Sequence, residues 1–158
     1  MKNVTTPRIA VVGIRGTHHH DDAVGSEVIR RLLECCPPQI DAFEMSGGYL
    51  EIESAMKDHS VVIVVDSSCT GGPAGNIFWL DSHERPGCGD WFPHYAIHVS
   101  GIADSLDLAL HVGENPKRLM LIGVEGKDFT DGDGLSSEVE DAVEEVLQML
   151  ELEAELVA

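Results

Sequence analysis

The run Val61-Val-Ile-Val-Val65 constrains the fold more than any other stretch of the chain. Five consecutive β-branched apolar residues favour extended backbone, and a strand with no polar alternation must be covered on both faces. A central strand of a parallel sheet, with helices above and below it, meets that requirement. Asp66 follows directly, so an acidic side chain is carried to the carboxyl end of a buried strand. Ile9 to Val12 is a second run of this kind. It ends at Gly13 and Gly16, where the chain turns sharply, and Val24, Val28, Ile29, Leu32 and Leu33 then recur at helical spacing. Asp21 and Asp22 therefore stand at the mouth of the first helix, where free backbone N–H groups and the helix dipole favour a carboxylate. That explains one aspartate. It does not explain two, preceded by His18, His19 and His20.

The remaining chain continues the alternation of strand and helix. Pro37-Pro38 ends the first helix, and Ile40 to Met45 reads as a strand closing at Ser46-Gly47-Gly48. Tyr49 to Met56 forms a short helix, and the strand at Ser60 to Asp66 exits into a loop of turn residues. Asn76 to Leu80 returns as an edge strand. Asp81 to His94 is irregular, Ile102, Leu106 and Leu110 form a helical stripe capped by Ser100, and Arg118 to Val124 is the last strand. Ser137 and Glu140 make a capping box for a final helix that buries Val139, Val143, Val146, Leu147 and Leu150, and the glutamates from Glu151 onward read as a frayed tail over 151–158. Residues 1–158 are expected to form a single domain. Its architecture is a three-layer α/β/α sandwich around a mostly parallel five-stranded sheet with one antiparallel edge strand.

Charge narrows the partners. With 28 acidic against 10 basic residues the formal net charge is −18, which repels phosphate backbones and anionic membrane surfaces. Nucleic acid and membrane are excluded as partners, and no apolar run reaches the ~18 residues of a membrane span. Without a signal-peptide pattern at Met1 to Arg8, a cytoplasmic protein is expected. Cys35 and Cys36 are adjacent while Cys69 and Cys88 stand apart, so no C-x-x-C metal or redox pattern exists. Cys69 lacks a positioned base and is a weak nucleophile candidate. Gly13-Ile-Arg-Gly16 is not G-x-G-x-x-G and no Walker lysine follows, so nucleotide binding is rejected. No G-x-S-x-G elbow is present either.

In doubly wound sheets ligands bind at the carboxyl ends of strands where strand order reverses. Asp22, Asp66 and His98 all fall at that edge. Two carboxylates and an imidazole suit a divalent transition metal such as nickel or zinc. The histidine run at 18–20 is compatible equally with added metal affinity and with exposed filler.

Taken together, the blocks resemble the hydrogenase maturation proteases, endopeptidases that trim the carboxyl-terminal extension from the large subunit of [NiFe] hydrogenases. The family's opening strand, G-x-G-N loop and D-D/E-x-V/I-G block correspond to Val12-Gly-Ile-Arg-Gly16 and Asp21-Asp-Ala-Val-Gly25. Its D-G-G turn corresponds to Ser46-Gly47-Gly48, and its strand-terminal aspartate and P-G loop to Val65-Asp66 and Pro73-Ala-Gly75. Its H-x-x-G/S-L/I-A-D helix entry is similar to His98-Val-Ser-Gly-Ile-Ala-Asp104, and its L-x-L-I/V-G-V/I strand to Leu119-Met-Leu-Ile-Gly-Val124.

The resemblance implies an aspartyl-type processing endopeptidase whose metal-contacting and catalytic residues are Asp22, Asp66 and His98, with Ser46, Gly47 and Gly48 binding substrate. It implies a [NiFe] hydrogenase large-subunit precursor as partner. The nickel would be carried by that precursor and bound at most weakly by the free protein, expected here as a monomer. Arg15 and Gly16 replace the family's second glycine and asparagine, and Ser46 replaces its turn aspartate, at a position associated with substrate choice. Those departures keep open an alternative, a non-catalytic nickel-binding or chaperone-like relative that docks on the precursor. A third reading is a metal-dependent hydrolase of unrelated small substrates.

Overall fold

The computed structural model describes residues 8–16, 19–35, 37–82, 106, 108 and 118–157. Five strands form one sheet: β1 (Ile9–Ile14), β2 (Ile40–Met45), β3 (Val61–Ser68), β4 (Ile77–Asp81) and β5 (Arg118–Glu125). Their order is β2-β1-β3-β5-β4. All pairings are parallel except β4 against β5. The expected α/β architecture, mostly parallel with an antiparallel edge strand, is thus observed. From β1 the chain steps outward to β2 and then crosses back to β3 on the other side of β1. Strand order therefore reverses between the carboxyl ends of β1 and β3, the place where such sheets bind ligands.

The central strands are buried along their whole length because helices cover both faces. On one face α1 (Val24–Cys35) and α3 (Ser137–Val157) pack over Val11, Ile63, Val65 and Ile122. On the other, Ile52, Ala55 and Met56 of α2 (Tyr49–Asp58), together with the helical and fully buried Leu106, cover Val12, Val62, Val64 and Leu121. Alternate residues of each strand feed the two cores, so an apolar run without polar breaks is what this sheet requires. Among the described residues no helix is long and apolar enough to cross a membrane.

β1 and α1 approach unusually closely. A Cβ at Gly13 would lie 2.3 Å from the Gly25 carbonyl oxygen, and one at Gly25 would lie 2.7 Å from the Ile14 nitrogen. Backbone meets backbone here, which only glycine permits.

Three expectations are corrected. β3 continues two residues beyond Asp66, because Ser67 and Ser68 pair with Val124 and Glu125 of β5. The capping box at Ser137 is not formed: Ser137 is already helical and its hydroxyl donates to Glu138 (3.2 Å). The Glu140 carboxylate is drawn instead to Arg31 of α1. The frayed tail from Glu151 is helix as far as Val157, since Ala154 is buried and Glu153 accepts from Arg118 (2.9 Å). The irregular stretch from 83 onward, and the stripe apart from Leu106, lie outside the described residues.

Candidate active site

Between β1 and α1 the chain forms a single 3-10 turn, His20–Ala23, whose two aspartates are both buried. They point to different partners. Asp22 faces β3, where the Ser67 hydroxyl donates to its Oδ1 (3.1 Å). Asp66, 1 % exposed, lies beside it on the same strand edge. Its Oδ1 accepts the Ser67 backbone N–H (2.7 Å), whereas its Oδ2 is buried with no hydrogen-bond partner among the described residues. Burial, and secondarily the negative charge of Asp22, push the Asp66 carboxyl up to about 8, against the opposing pull of the Ser67 N–H. A buried carboxylate oxygen left unpaired is costly, and a proton or a cation would relieve it.

The fold thus brings Asp22 and Asp66 together at the topological switch point. His98, the third residue expected there, lies outside the described residues. The Ser46-Gly47-Gly48 turn follows β2, with Gly47 at φ 91°, a conformation suited to glycine. Its Ser46 is tied to α2. Both its N–H (3.1 Å) and its hydroxyl are taken by Glu51 in the first turn of α2.

Asp21 behaves quite differently from its neighbour. Its carboxylate accepts the backbone N–H groups of Lys127 (2.8 Å), Asp128 (2.9 Å) and Ser136 (2.7 Å), and the Ser136 hydroxyl (2.9 Å). Two histidines of the 18–20 run, His19 and His20, join the same loop. His19 pairs with Asp131 (2.9 Å), and His20 sets its Nδ1 2.9 Å from the Gly134 carbonyl oxygen. These two are not exposed filler. His20 and His19 are both partly buried, and they fasten the turn to the β5–α3 loop. Among the described residues no group of three or more histidine, cysteine or acidic side chains is placed to hold a metal ion.

Sequence reasoning missed one buried acid at this edge. Glu125, 3 % exposed, accepts from the hydroxyls of Ser68 (2.8 Å) and Thr70 (3.0 Å) and the N–H groups of Thr70 (2.8 Å) and Gly71 (3.0 Å). Fully satisfied, it holds the loop after β3 in place. The exposed thiol of Cys69 lines a cleft beside it with Gly72, Lys127 and Phe129.

A family model described as hydrogenase maturation protease matches residues 47–153. The chain belongs to the hydrogenase maturation protease family. The match includes Asp66 and begins beyond Asp22. Longer similarity comes from the hydrogenase 2 maturation protease of Escherichia coli, 26 % identical over 147 residues, covering 90 % of this chain and 88 % of that one. Among solved structures, the E. coli hydrogenase maturating endopeptidase HybD is 26 % identical with a TM-score of 0.67, over 90 % of this chain and 89 % of that chain. The HybD maturation protease of Thermococcus kodakarensis, 19 % identical, shares the fold with a TM-score of 0.73, covering 93 % and 99 % of the two chains.

Proposed function

We propose that the chain is a cytoplasmic processing endopeptidase that removes the carboxyl-terminal extension of a [NiFe] hydrogenase large-subunit precursor once nickel has been inserted. Asp22, Asp66 and His98 meet the nickel that the precursor carries, and the Ser46-Gly47-Gly48 turn contacts the substrate. The observation that carries this reading is the buried Oδ2 of Asp66, without a hydrogen-bond partner among the described residues, next to Asp22 at the switch point. Family membership and the names of the E. coli relatives support the reaction class.

The donor set fits the cargo. Carboxylate oxygens with an imidazole suit nickel, and a deeply buried carboxylate is completed by a cation that arrives already attached to the substrate. Ser67 fixes Asp22 by its hydroxyl and Asp66 by its N–H, so one residue orients both acids. Asp66 is held protonated below about pH 8 in the free chain and gives up that proton as the substrate's cation approaches. A metal ion at this position orients the scissile peptide and polarises its carbonyl or a water.

Incubation with nickel-loaded precursor, followed by mass measurement of the large subunit, tests the reading. Loss of a carboxyl-terminal peptide is expected with the wild-type chain and a drop of at least ~10²-fold in rate with Asp66→Ala. Wild-type chain that binds the precursor and leaves its mass unchanged would contradict it in favour of a docking relative.

A further inference from the structure

We infer that Asp21 is the positioning residue of this site, acting through Asp22. The β5–α3 loop is the frame against which it sets the neighbouring carboxylate. The inference rests on the reading of Asp22 as a substrate-facing group.

Asp21 is fully buried, yet its carboxylate turns away from Asp66 and toward a loop more than a hundred residues further along the chain. Four donors converge on its two oxygens, three of them backbone N–H groups. The backbone is tied as well: Asp21 N–H donates to the Asp128 carbonyl (2.9 Å) and His20 N–H to the Gly132 carbonyl (3.0 Å). His20 sits at φ 45°, a left-handed conformation that a non-glycine residue keeps only when its surroundings demand it. The demand is visible around it. A Cβ at Gly132 would lie 2.3 Å from the His20 Nε2, one at Gly126 would lie 3.1 Å from the Asp21 Cβ, and one at Gly16 would lie 2.4 Å from the Asp22 carbonyl oxygen.

Adjacent residues in a 3-10 turn project in different directions, so pinning one carboxylate to a rigid frame fixes the aim of the next. Asp22 itself is held toward β3 by Ser67. Asp21 supplies the opposite anchor, and the turn is stretched between the two. Since misplacing a reacting group by about 1 Å can cost ~10²-fold in rate, an anchor of this kind bears on turnover more than on substrate affinity.

Ser136 offers the cleanest test, because it touches Asp21 and lies outside the proposed catalytic set. Ser136→Ala deletes one of the four bonds and Ser136→Thr retains the hydroxyl. At a temperature where all variants are folded by circular dichroism, Ser136→Ala is expected to lower the turnover of nickel-loaded precursor roughly tenfold with KM unchanged, and Ser136→Thr to restore it. The second readout needs no activity: the carboxyl carbon resonance of Asp22, followed by NMR in the free chain, is expected to move in Ser136→Ala and to return in Ser136→Thr. A melting temperature that falls while turnover and the Asp22 resonance stay at wild-type values would overturn the inference. Absence of cleavage by the wild-type chain would instead count against the proposed function, and the Asp22 resonance would still decide the role of Asp21.

Discussion

Asp66 is the residue whose ionisation most directly reports the state of the site. In the unfolded chain it titrates at the ordinary 3.8, and in the fold near 8, raised by burial first and by Asp22 second. Between those values the native state holds a proton that the unfolded state has released. Its contribution to stability is therefore complete below about pH 4 and is lost as pH rises toward 8. The free protein is expected to become less stable across that window, with a slope approaching ~1.4 kcal/mol per pH unit from this group. Asp66→Asn carries no such titration. Urea unfolding at a series of pH values, comparing the two proteins, checks this: parallel curves would show that Asp66 is not the group responsible.

At the scale of elements, the contact between β1 and α1 sets where the turn bearing Asp21 and Asp22 can lie. Gly13 faces the Gly25 carbonyl oxygen and the Ile29 side chain with no room for a methyl group. Gly13→Ala is expected to cost about 3 kcal/mol, since backbone cannot yield without separating helix from sheet. Gly123 looks still more crowded, a Cβ there lying 1.9 Å from the Phe78 ring, yet Phe78 is only half-buried on edge strand β4 and its ring can swing aside. Gly123→Ala is expected to cost no more than ~1 kcal/mol. Thermal melts of the two variants check the contrast, and equal losses would refute it.

Asp66 was legible in the sequence because a continuous β-branched run announces a buried strand and the acid follows it. Asp22 was legible because a glycine turn leads into an amphipathic helix. The mostly parallel sheet with its edge strand followed from the alternation of strands and helices, whereas the order of the strands did not. Glu125 and Ser67 were not legible, because their burial depends on β3 running two residues further, which the register with β5 decides. Nor were the partners of Asp21, His19 and His20. Their bonds go to a polar loop at the far end of the chain, and no local spacing records such a pairing. The same loop gives Ser136 to Asp21, and the expected capping box fails one residue later because Ser137 is already helical and its hydroxyl turns to Glu138.

For the molecule as a whole, the 3-10 turn after β1 sets two acids with different partners side by side. Asp21 is spent on four internal donors, while Asp22 accepts from Ser67 and raises the carboxyl of Asp66, whose second oxygen lacks a partner among the described residues. A chain of net charge −18 carries this acidic pair at an edge where a cation would complete it. The proposed account is that the cation comes with the substrate, so that cleavage reports metal insertion. The most direct measurement is the rate at which the wild-type chain shortens precursor prepared with and without nickel, read by mass. Cleavage of the nickel-loaded precursor at least ~10²-fold faster than of the nickel-free one is predicted. Equal rates on the two would contradict the account, because Asp22 and Asp66 would then be working without the ion they are proposed to recognise.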